Sequence, residues 1–153
     1  MLYGIPFILL KGGGFMQQYP RVGVGVVVFK DNNVLLVQRG QEPGKGSWSI
    51  PGGKQELGEV LIETARREVG EETGILIDEP QLLETLDMIE RDPTGNILYH
   101  YTLIDFMANW MAGDVQAGDD AVQAIWVDVD DLSSYKLWAE TTRVIKQALD
   151  FRK

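Results

Sequence analysis

Cysteine is absent from this 153-residue chain, and histidine occurs once, as His100. The first absence excludes a disulfide framework, a thiol nucleophile and a cysteine zinc site. The second excludes a metal centre built from several imidazoles. Long hydrophobic runs are missing too: none reaches the roughly 18 residues of a membrane-spanning helix, so no membrane partner is expected. Basic residues are scarce. Lys and Arg number 14 against 23 Asp and Glu, for a net charge of −9. Nucleic-acid affinity rests on neutralising phosphates with Lys and Arg, so no nucleic-acid partner is expected either. An acidic chain still acts on small phosphate compounds if its carboxylates first take up a divalent metal. The length fits one domain, about 100–150 residues being usual. A domain of that size buries roughly two-thirds of its unfolded surface and needs no staple.

The first ten residues, MLYGIPFILL, carry no charge before Lys11, and Gly12 to Gly14 follow as a break. No positive segment precedes them and no A-x-A site follows, so they are a poor secretory signal. Two readings stay open. In one, residues 1–15 are an extension or leader and the domain proper is 16–153, beginning at Met16. In the other, Leu2 to Leu10 add an edge strand or an oligomer contact. The lack of cysteine and of a clear targeting signal fits the cytoplasm.

Beyond Met16 the apolar pattern is orderly. Val22 to Phe29 reads as a buried strand, Asp31-Asn32-Asn33 as a turn and Val34 to Val37 as the returning strand. Gly40 to Gly46 is a loop, and Trp48 to Ile50 a short strand stopped by Pro51-Gly52-Gly53. The pattern predicts a helix from about Val60 to Thr73, with Gly74 as its left-handed stop. Strands are expected at Ile75 to Ile77, Leu82 to Ile89, Ile97 to Met107 and Ala124 to Val129. The acidic run Asp128 to Asp131 suits a helix start. Trp138 to Phe151 closes the chain as an amphipathic helix, with Trp138, Thr142, Ile145 and Leu149 near one face. Two helices separated by a run of strands suggest a mixed sheet flanked by helices, an α+β or α/β/α layering.

The predicted first helix carries the chemistry. Glu68, Glu71 and Glu72 stand at i, i+3 and i+4, inside one arc of the helix surface. Three carboxylates there repel one another, and they lie toward the C-terminal end, where the macrodipole disfavours anions. A hard divalent cation would neutralise them, since Mg²⁺ and Mn²⁺ prefer oxygen ligands. Glu59, at or just before the helix start, can reach the same cation. The competing reading is a solvated acidic face with Glu63 pairing to Arg67.

The segment Gly53 to Ile75 resembles the Nudix box, G-x5-E-x7-R-E-U-x-E-E-x-G-U, where U is a bulky aliphatic. Gly53, Glu59, Arg67, Glu68, Val69, Glu71, Glu72, Gly74 and Ile75 fill every constrained position. A chance match across the chain is on the order of 10⁻⁷ with average residue usage. The resemblance runs from about Arg21 to the C-terminus through GVGVVVF, LLVQRG, SWSIPGG and AIWVDVDDL. It implies a metal-dependent pyrophosphohydrolase acting on a nucleoside diphosphate linked to another group. The implied fold is an α/β/α sandwich on a mixed sheet, with the box as loop–helix–loop.

Carried over by position, the resemblance makes Glu68, Glu71 and Glu72 metal ligands and Glu59 a ligand or the orienter of one. The Gly52 carbonyl would complete the site, and Arg67 would pair with a box glutamate and hold it. Asp120, or its rival Asp119, would add a ligand from a later loop. The implied cofactor is Mg²⁺, with Mn²⁺ as substitute; the implied partner is a small nucleotide, and homodimers are frequent among such proteins. Metal ions bridging a pyrophosphate lower the pKa of a bound water and stabilise the leaving phosphate. A carboxylate then accepts the water's proton; Glu68, Glu59 and Asp119 are the candidates.

Outside the box, Arg39 can clamp a phosphate by parallel hydrogen bonds or be a plain surface arginine. Gly53 and Trp48 join it as candidate substrate contacts. Trp48, Tyr99, Tyr101 and Trp110 can stack on a base, although aromatics in strands are more often core, and His100 is expected to be structural. GQEPGKG before SWSIPGG and YHYTLIDF before AGDDA are similar to ADP-ribose pyrophosphatases, which yield AMP and ribose 5-phosphate. The alternatives are a MutT-like triphosphatase releasing pyrophosphate and a non-catalytic nucleotide sensor. Sensors commonly lose a box glutamate, and this chain keeps them all.

Overall fold

The computed structural model describes residues 19–40, 45–118 and 121–153. The readings of residues 1–15, and of Asp119 and Asp120, fall outside these. In chain order the elements are β1 (Arg21–Lys30), β2 (Asn33–Arg39), β3 (Trp48–Ser49), β4 (Gly52–Lys54), α1 (Leu61–Thr73), β5 (Leu76–Ile77), β6 (Gln81–Arg91), β7 (Ile97–Ala112), β8 (Ala121–Asp128) and α2 (Ala139–Phe151). A 3-10 turn, Val129–Ser134, links β8 to α2 and is opened by the Asp128 side chain, which accepts a hydrogen bond from the Asp130 amide.

The strands form one mixed sheet with the backbone order β3-β2-β1-β7-β5. β1 and β7 run parallel from Arg21 opposite Tyr101 to Phe29 opposite Asn109. The other pairings are antiparallel: β1 with β2 and β4, β2 with β3 and β8, and β7 with β5 and β6. The period-2 alternation of β1 feeds both faces. Val24, Val26 and Val28 pack with Ala65 and Val69 of α1. Val27 and Phe29 pack with Val144, Ile145 and Ala148 of α2. This is the α/β/α sandwich expected from the sequence.

Three expectations change. The Pro51-Gly52-Gly53 stop is followed at once by a strand, since Gly52 to Lys54 pair with Gly23 to Gly25 of β1. Only glycine fits at position 52, because a Cβ there would collide with the Val24 carbonyl. β7 runs five residues past Met107, carried by its pairing with β5. The buried stripe of α2 is Thr141, Val144, Ile145 and Ala148, rotated from the stripe through Trp138, Thr142 and Leu149, which are only half-buried.

Candidate active site

α1 starts and stops as its sequence dictates. Glu63 reaches back to accept the Val60 amide proton at 3.2 Å, a capping contact that takes up one orphan donor. Gly74 ends the helix with φ 73°, and its N–H bonds the Gly70 carbonyl at 2.9 Å. The last turn carries no basic residue. Instead the amides of Gln116 and Gly118 bond the carbonyls of Thr73 at 2.9 Å and Glu72 at 3.0 Å. The segment that leads to Asp119 and Asp120 thus closes on the end of the box helix.

The buried stripe of α1 is Thr64, Ala65, Glu68, Val69, Glu72 and Thr73. Two carboxylates therefore lie inside it: Glu68 is 4% exposed and Glu72 is 0%. This excludes the solvated acidic face. Both point at β4. Gly52 N–H donates to Glu72 Oε2 at 3.1 Å. A Cβ on Gly53 would fall within the Glu68 carboxyl group, so the glycine is the seat of that side chain. Buried carboxylates are costly unless neutralised by charge and hydrogen bonds.

Arg67 supplies part of that neutralisation. Its Nε donates to Glu59 Oε2 at 2.6 Å and its Nη2 to Glu59 Oε1 at 3.0 Å. Nη2 also donates to the Lys54 carbonyl at 3.0 Å. Nη1 donates to Glu68 Oε1 at 2.8 Å and to Glu71 Oε2 at 3.2 Å. The Glu63–Arg67 pair of the competing reading does not form, because Glu63 is committed to the helix cap. Glu59 further accepts the Thr64 hydroxyl at 2.5 Å. The Arg67 hydrogen bonds hold the Glu59 carboxyl down at about 2, burial acting in the opposite sense.

The donor set suits a hard divalent cation. It consists of carboxylate oxygens backed by a backbone cradle, two of the side chains being buried. Glu68 Oε2 and Glu72 Oε1 are shielded from solvent and accept no hydrogen bond among the described residues. The four glutamates are nevertheless not gathered at one point: among the described residues, no three Asp, Glu or His side chains surround a common cation position. Arg67 engages Glu59, Glu68 and Glu71 on its own edges, while Glu72 accepts from the Gly52 amide. An open groove lined by Arg21, Val22, Lys54, Gln55 and Glu59 leads to the same loop.

The family description "NUDIX domain" matches residues 19–148. The chain belongs to the Nudix family. Nudix hydrolases cleave phosphoanhydride bonds and generally use divalent metal ions. An ADP-ribose pyrophosphatase of Methanocaldococcus jannaschii is 34% identical over 134 residues, covering 88% of this chain and 76% of that one. An oxidized purine nucleoside triphosphate hydrolase of Danio rerio is 32% identical over 122 residues, covering 75% and 70%. The crystal structure of a MutT NUDIX hydrolase from Burkholderia pseudomallei superposes with a TM-score of 0.73 at 29% identity, covering 85% and 98%.

The residues singled out beyond the Nudix box have these surroundings. Arg39 is buried, not on the surface, at 7% exposure. Trp48 packs against the α2-side core and stands edge-on to Tyr135, with ring centroids 5.3 Å apart. Tyr101 is buried edge-on against Tyr99. Trp110 donates its indole N–H to the Gly113 carbonyl and lies under Lys30 Nζ at 4.0 Å. His100 Nε2 lies 3.3 Å from Asp87 Oδ1.

One ionisable group had no sequence signal at all. Asp105 of β7 is buried over Gly25, where a Cβ would stand 2.5 Å from its Oδ1. Burial, with the nearby Glu84 and Glu140 carboxylates, pushes it up to about 7, and Arg143 offsets part of that. Arg143 of α2 is itself ion-paired to Glu84 and Glu140.

Proposed function

We propose that this Nudix hydrolase cleaves ADP-ribose to AMP and ribose 5-phosphate with Mg²⁺ at the box, Mn²⁺ serving as a substitute. The relationship to the M. jannaschii ADP-ribose pyrophosphatase across 88% of the chain carries the substrate assignment. Glu68, Glu71 and Glu72, with the Gly52 carbonyl, would hold the metal, and Asp120 would join them from the loop after Gly118. The bound metal supplies charge neutralisation for the pyrophosphate and a lowered pKa for the attacking water. A water oxygen attacks one phosphorus, the bridging P–O bond breaks, and the other phosphate leaves with the bridging oxygen. The water's proton passes to a box carboxylate. Glu68 is the better-placed acceptor, because both oxygens of Glu59 are engaged by Arg67.

A second reading has its own support. The D. rerio oxidized purine nucleoside triphosphate hydrolase favours a MutT-like release of pyrophosphate from triphosphates. The test is a panel of ADP-ribose, normal and 8-oxo triphosphates, dinucleotides and sugar nucleotides with excess Mg²⁺ or Mn²⁺, the products being separated chromatographically. Preferential AMP formation from ADP-ribose supports the leading reading, and pyrophosphate release moves the protein to the second. Nucleotide binding without turnover would make it a sensor. A homodimer belongs to the same reading, and sedimentation equilibrium checks it.

A further inference from the structure

Arg67 has two unlike ends. Its Nε and Nη2 are tied to fixed structure: Glu59, itself held by the Thr64 hydroxyl, and the Lys54 carbonyl of β4. Its Nη1 is shared between Glu68 Oε1 and Glu71 Oε2, at 2.8 and 3.2 Å. The Glu71 side chain is 43% exposed, whereas that of Glu59 is 13% exposed. One end is therefore fixed on a single carboxylate and a backbone carbonyl, and the other is divided between the buried Glu68, 5% exposed, and the open Glu71.

Glu68 and Glu71 are the carboxylates that a divalent cation at the box requires, and a cation beside Nη1 would be repelled by it. Building on the metal reading above, we infer that Arg67 is a resident counter-ion whose Nη1 gives up Glu68 and Glu71 to the metal while Nε and Nη2 stay on Glu59. Glu59 is then a positioning residue that acts through Arg67, not a metal ligand. Arg67 holds together a one-turn cluster of carboxylates that would otherwise repel, and it competes with the ion that replaces it.

The test is Mn²⁺ binding to the full chain, read from the electron paramagnetic resonance signal of the free aquo-ion. Arg67→Gln should bind Mn²⁺ about tenfold more tightly than wild type, the scale of one charge-assisted contact removed. Loss of a purely structural support would move the affinity the other way. Arg67→Lys, whose single ammonium cannot span both ends, should shift affinity in the same direction if Arg67→Gln does not fold. Within the Arg67→Gln background, Glu59→Gln should leave Mn²⁺ affinity unchanged, and a tenfold loss there would make Glu59 a ligand and overturn the inference. Unchanged or weaker binding in both Arg67 variants would overturn it too. Wild type that takes up no Mn²⁺ would overturn the metal reading itself, a result distinct from either of these.

Discussion

Gly53→Ala tests the packing of the box at a single atom. The added Cβ would lie within the Glu68 carboxyl, closer to it than the 3.0 Å that real Cβ contacts essentially never go below. The strand cannot yield, because Gly53 is paired with Val24, and its neighbour Gly52 has no room for a shift toward β1. Glu68 must therefore withdraw its carboxyl by about 1 Å or more and loosen its contact with Arg67. Misplacement on that scale costs about a hundredfold in rate. The steric penalty and the weakened charged hydrogen bond together cost about 2 kcal/mol, equivalent to about 4–8 °C in Tm for a domain of this size. The assay pairs a thermal melt with turnover on the same preparation. A folded Gly53→Ala protein with turnover within about twofold of wild type would refute the reasoning.

The remaining predictions concern the interior and the caps. Glu72→Gln keeps the shape of a fully buried side chain and a carbonyl oxygen for the Gly52 amide; turnover should fall by about a hundredfold or more with Tm within a few degrees, checked by kinetics and calorimetry. Asp105 holds its proton up to about pH 7 in the fold against an ordinary value of 3.8. Its contribution is therefore most favourable below about pH 4 and is lost as the pH rises toward 7, by up to about 4 kcal/mol. The Tm of Asp105→Asn relative to wild type should climb between about pH 4 and pH 7 and level off above, and a constant difference would contradict the assignment. Gly74→Ala forces a side chain into φ 73° and should cost about 1 kcal/mol, read as a shift of denaturation midpoint. Chelation should abolish turnover, and added Mn²⁺ should raise Tm in proportion to the logarithm of its concentration.

What the sequence showed was what repeats locally. The β-branched, glycine-spaced run of β1 and the Gly74 stop are short-range patterns, and each led to the correct element. The partners of Arg67 were not legible that way. The i+4 rule ranks Glu63 first, but Glu63 is used up by the helix cap, while Glu59 is brought back from the loop, with Gly58 at φ 85° supplying the turn. The β4 strand was hidden because its glycines lack the β-branched signature and exist as a strand only by pairing with the glycines of β1. Asp105, Glu84 and the Glu140–Arg143 pair of α2 are far apart in the chain and meet only through the β6–β7 register and the docking of α2. The same limit applies to Arg39, whose burial is set by neighbours that no spacing rule names.

The most direct test of the central claim is a stoichiometric product analysis of ADP-ribose incubated with Mg²⁺ and either wild type or Glu72→Gln. Wild type should yield AMP and ribose 5-phosphate in equal amounts, and the variant should yield neither at a comparable rate. Equal turnover by both proteins would contradict the assignment of the chemistry to the box carboxylates.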